Sequence, residues 1–124
     1  MKSVIISVCL ILAVSAGVTA NAFHTCSTVA DLRAKAELLN ISESVSKEEE
    51  ELFRALRSKW NEKRDILTYL YDYREIENIE LAVVRMESAI YSNSPCEFPV
   101  YKGEFLYSLS RLEEISIFSF KNIL

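Results

Sequence analysis

From Arg74 to Tyr91 the chain reads REIENIELAVVRMESAIY, with Ile76, Ile79, Val83, Met86 and Ile90 at spacings of three, four, three and four. An α-helix makes one turn in 3.6 residues, so these side chains fall on one stripe. Leu81, Ala82, Val84 and Ala89 widen the stripe, as in a helix that touches two neighbours. A helix of this kind has to find partners, and the same period recurs along the chain.

Val29, Leu32, Ala36 and Leu39 form a second helical face, with Ser27 or Thr28 expected as its N-cap. The polar stretch NISESVS reads as a turn, and its Asn40-Ile41-Ser42 has the form of an N-glycosylation acceptor. Ser46 followed by Glu49 makes a capping box, and the acidic run Glu48 to Glu51 lies at the positive end of the next helix dipole. Phe53, Leu56, Trp60, Leu67 and Leu70 continue that helix as a seam, and Lys63 interrupts it by reaching out to water. The seam predicts about 26 residues of helix, roughly 39 Å. SNSPCEFP reads as a loop. From about Tyr101 a fourth helix is expected, with Phe105, Leu109 and Leu112 on one face and Leu106 beside it.

The ending ISIFSFKNIL has some period-two character, but no partner strand exists elsewhere, so helix is the expectation. It should pack on the other helices, because exposed it would be a low-charge, β-prone window. Two glycines and two prolines are too few for a sandwich with many tight turns. The fold class is therefore all-α: an antiparallel four-helix bundle preceded by an N-terminal hydrophobic leader or anchor helix.

That leader, residues 1–22, has Lys2 followed by an uncharged apolar run from Val4 to about Phe23. It reads as a signal peptide or as a membrane anchor. Ala20 and Ala22 each close a small-x-small cleavage pattern, while the run is long enough to span. Either way Lys2 stays inside and residues 23–124, a single helical domain, cross to the outer side.

Setting Lys2 aside from the chain's −4 leaves that domain at −5, which argues against nucleic acid as a partner. Cofactors are not expected, and neither is catalysis. His24 is the only histidine, Cys26 lies two residues from it beside the leader, and no glycine-rich phosphate loop exists. Dicarboxylate metal bundles need Glu-x-x-His on facing helices, and the chain has none. Glu75, Glu77 and Glu80 fall off the main apolar seam and read as the wet side of their helix. Cys9 sits in the leader as a small hydrophobe. Cys26 and Cys96 are expected at opposite ends of the bundle, about 24 Å apart along a helix, far beyond the roughly 7 Å of a disulfide. A bridge through Cys96 would then be intermolecular. Tyr69, Tyr71 and Tyr73 cannot all be buried beside Leu67 and Leu70, and amphipathic rings at a surface suit a partner or a membrane interface.

Trp60 with the following KRDIL, then REIENIELAVVRME, then the ending FKNIL, resemble a bacterial family known only as a domain of unknown function, number 4363. The resemblance covers roughly residues 50–124, plus the leader in kind. The family pattern aliphatic–His–x–Glu–Ile–Asp meets Glu75 and Ile76 here, but Tyr73 stands at the histidine and Glu77 at the aspartate. The resemblance implies a short, exported or anchored helical protein, and no chemistry. The function expected is a non-enzymatic interaction or structural module at the outer face of the cytoplasmic membrane, with the membrane, a protein partner or a second copy of the chain as its contacts. The alternative is a small apolar-ligand-binding bundle, with a cavity lined by Trp60, Met86 and Phe105.

Overall fold

The computed structural model describes residues 1–41, 44–92 and 94–123, so Ser42 of the glycosylation motif lies outside the described residues. The elements are α1 (Lys2–Glu37), α2 (Lys47–Leu70), α3 (Tyr73–Tyr91), a 3-10 turn over Pro95–Glu97 and α4 (Phe98–Ile123). No strand occurs among the described residues.

Local chemistry sets the ends of the elements. Ser46 takes extended backbone and its hydroxyl accepts the Glu49 N–H at 3.2 Å, the expected cap of α2. α2 stops at Leu70 because Tyr71 adopts extended backbone, φ −131 and ψ 167. Asp72 then caps α3, its carboxylate accepting the Arg74 N–H at 3.1 Å. α4 begins three residues before the expected Tyr101, since the turn led by Pro95 runs straight into it and Phe98 is buried.

α1 and α3 each pack on both α2 and α4, which closes the helices into an antiparallel ring. The pairings fix the direction: Arg33 of α1 meets Glu113 of α4 at 2.9 Å, while Lys102, lower in number, donates to the Leu39 carbonyl further along the chain. Val29, Leu32, Ala36 and Leu39 and the α3 stripe Ile76, Ile79, Val83, Met86 and Ile90 are buried, as are Phe53, Leu56, Trp60 and Leu67 on α2 and Phe105, Leu109 and Leu112 on α4. Of the residues expected to widen the α3 stripe, Ala82 and Ala89 are buried but Leu81 and Val84 are each 44% exposed. Leu39, Ile41 and Phe98 close the end of the bundle away from the leader.

Three expectations are corrected. Ser27 and Thr28 cap nothing, because the apolar run is itself helical and α1 continues unbroken through them; Thr28 is buried instead. Leu70 is 37% exposed. The helix ends there, the chain turns, and Tyr71 packs against the core in its place. The C-terminal segment is helical as expected but only partly packed. α4 has 26 residues against 19 in α3, and Arg111 already pairs with Glu75 in the first turn of α3. The last turns of α4 therefore run past α3, with Ile117 and Phe118 exposed.

Candidate functional site

The three carboxylates of α3 have separate fates. Glu77 is exposed, as expected of a wet face. Glu75 and Glu80 are not simply wet. Glu75 receives Arg111 from α4 through both carboxylate oxygens, at 3.0 and 3.2 Å. Glu80 accepts the indole N–H of Trp60 and sits 3.3 Å from Arg57 and 3.2 Å from Arg64, all three on α2. Trp60 is fully buried, so Glu80 is the acceptor its N–H requires. Burial by itself would push the Glu80 carboxyl up; the Trp60 hydrogen bond, Arg57 and Arg64 outweigh it, and the net shift is downward. These carboxylates tie helices together and do not converge on a reacting centre. Among the described residues no three His, Cys, Asp or Glu side chains are grouped to hold a metal ion.

His24 and Cys26 cannot act as a pair, because residues two apart on a helix do not face each other. His24 lines a groove between α1 and α2 with Asp31, Lys59 and Lys63, whereas Cys26 is turned toward Glu113 of α4. Burial, and then the Glu113 charge, push the Cys26 thiol up, which disfavours the nucleophilic thiolate. Cys26 is half-buried near the leader end and Cys96 is exposed in the turn before α4; both are free. The length of α4 separates them.

The tyrosines divide at the α2–α3 corner. Tyr71 packs on the core edge, and its hydroxyl shares a 2.7 Å hydrogen bond with that of buried Thr25 on α1. Tyr69 and Tyr73 are 91% and 66% exposed. Of the three rings expected at a surface, Tyr69 and Tyr73 are exposed and Tyr71 is not. Tyr73 and Glu77, one turn apart, share a shallow cleft of about 320 Å³ with Arg64, Thr68 and Ile76. Trp60, Met86 and Phe105 are fully buried.

Among the described residues, most of the first half of α1 is open. Val4, Ile5, Ile6, Val8, Leu10 and Ile11 are all at least half exposed, and none of the most apolar 18-residue window is buried. Toward the bundle, its Val18, Asn21 and Ala22 face Leu70, Tyr71, Ser116 and Ser119. Sequence reasoning missed Phe23, Ile117 and Phe118 as exposed side chains at this end. The signal for the last two was the length of apolar sequence after Leu112, too long to be matched by α3.

A family described as a domain of unknown function, DUF4363, matches residues 23–123. The chain belongs to this family. The match reaches well beyond residues 50–124, because the DUF4363 domain takes in the packed half of α1 as well as α2, α3 and α4. No curated protein and no solved structure matches the chain.

Proposed function

We propose that this DUF4363 protein is a non-enzymatic interaction module, held at the outer face of the cytoplasmic membrane by the first half of α1. One observation carries the reading: a single unbroken helix joins an apolar half that is almost all open to a half that is part of the core. A helix apolar all round needs a non-aqueous solvent, and this is the one helix among the described residues long and apolar enough to cross a bilayer. Hydroxyls in that half are also suited to lipid. Ser7 donates to the Ser3 carbonyl and Thr19 to the Ser15 carbonyl, each at 2.8 Å, so neither needs water.

Retention of the leader is preferred to its removal. Cleavage after Ala20 would strip Val18 from the last turns of α4, and cleavage after Ala22 would strip Asn21 and Ala22 as well. An interaction module is preferred to a ligand carrier, since Trp60, Met86 and Phe105 are all fully buried within one hydrophobic core cluster. Tyr69 and Tyr73 supply an exposed aromatic surface, and Cys96 is the exposed thiol outside the apolar run, open to a second chain.

Alkaline carbonate extraction of membranes, followed by N-terminal sequencing, tests the anchor. The expected result is protein that stays in the pellet with the leader intact. Soluble protein beginning at Asn21 or Phe23 would overturn it.

A further inference from the structure

We propose a second membrane contact, made by the bundle itself: the last turns of α4 and the α2–α3 corner sit in the outer interface of the same bilayer that α1 spans. The inference rests on the anchored reading and adds where the bundle stands relative to the lipid.

The level of each element follows from what it touches. Ser116 and Ser119 of α4 lie across from Val18, Asn21 and Ala22 of α1. Tyr71, in the α2–α3 corner, is hydrogen bonded to Thr25. Both elements therefore lie within about a turn of the end of the apolar run. At 1.5 Å per residue, the run from Val4 to Phe23 is about 30 Å long, the thickness of one hydrocarbon core. A bilayer that covers the run up to Phe23 must also reach the turns of α4 beside Val18 and Ala22. Those turns could stay outside the lipid only if part of the apolar run were left in water.

The side chains at this level suit an interface. Phe23 is 77% exposed, Phe118 65% and Tyr69 91%, with Tyr73 and Ile117 beside them in level. Phenol rings placed where apolar and polar solvents meet are characteristic of the interfacial zone. Lys121 and Arg74 are exposed nearby, with stems long enough to place charge among headgroups. Exposed apolar side chains occur higher up too: Val100 at the other end of α4 is 62% open. It lies about 27 Å from Phe118 along the helix axis, at 1.5 Å per residue, beyond any interface on which the anchor could place the bundle.

The test uses the full chain in vesicles of phosphatidylcholine and phosphatidylglycerol, with and without bromine on the acyl chains. Phe118→Trp, Tyr69→Trp and Val100→Trp are compared with the parent protein, whose buried Trp60 supplies the background. All three positions are exposed, so folding should be unchanged, which far-UV circular dichroism checks. The expected result is that brominated lipid removes most of the added emission of F118W and Y69W and leaves that of V100W. Protein that resists carbonate extraction but shows F118W as unquenched as V100W would overturn the second contact and leave the anchor standing. Protein released by carbonate would overturn the anchored reading, and this inference with it.

Discussion

The two halves of α1 share one backbone and differ in everything that surrounds it. From Thr25 to Ala36 the helix carries a stripe of buried residues, with Asp31, Arg33 and Lys35 on its flanks. From Val4 to Phe23 it is apolar on every side, and almost all of it is open. The stripe is what water and a protein core together impose, because charge must face out while Leu32 faces in. The uniform half carries no such instruction. Its composition fits a medium that looks the same from all directions, as hydrocarbon does.

The strongest way to break that comparison is to remove the uniform half. Protein lacking residues 2–20 should be lost from the carbonate-washed membrane pellet entirely, as judged by immunoblot. Full retention would mean that the bundle binds the membrane without a span.

Alanine substitutions sharpen the contrast within α1. Leu32→Ala should cost about 2–5 kcal/mol in denaturant unfolding, through lost burial and the cavity left behind. Leu12→Ala removes the same atoms from a position with no protein around it and should leave bundle stability unchanged. Equal losses at both positions would show that the first half folds back on protein. Ile79 is equally buried on α3, and Ile79→Ala should fall in the same range as Leu32→Ala.

A smaller effect is expected at the paired charges. Glu80→Ala leaves the Trp60 N–H without its acceptor and should cost about 1–3 kcal/mol. Glu77→Ala, on the open face, should stay within about 0.5 kcal/mol. Because the folded protein holds the Glu80 carboxyl below its ordinary value, the carboxylate stabilises the fold above the usual glutamate range, and that contribution fades as pH falls through the lowered value. Unfolding midpoints measured down the acid limb should therefore fall less steeply in Glu80→Gln than in the parent. An unchanged slope would show that Glu80 contributes nothing to acid sensitivity.

The smallest effect on stability, though a clear one on assembly, concerns Cys96. Under mild oxidation the parent should give a dimer band that reductant removes, and Cys96→Ser should abolish it without moving the unfolding midpoint. A Cys26–Cys96 peptide from monomeric protein would contradict the topology.

Sequence periodicity sufficed for the helices, the stripe on each and the antiparallel order, because 3.6 residues per turn and short connections leave few other ways to bury Ile79, Val83 or Leu109. The N-cap at Ser46 was also legible, since a cap is satisfied by residues three apart, although the Glu49 side chain does not return the bond that would complete a capping box. The start of α1 was not. Ser27 and Thr28 have the chemistry of a cap, and only the unbroken helix around them shows that they are not used. The partners of Trp60 and Tyr71 were beyond the sequence for another reason. Glu80 lies 20 residues from Trp60, and Thr25 46 residues from Tyr71. Such contacts depend on how far each helix is rotated and slid against its neighbour, and no local pattern encodes that. The overhang of α4 beside Val18 and Ala22 is of the same kind. The sequence determined that Ile117 and Phe118 are apolar and helical, while the relative lengths and register of α3 and α4 decided that they stand outside the core, level with the end of the apolar run.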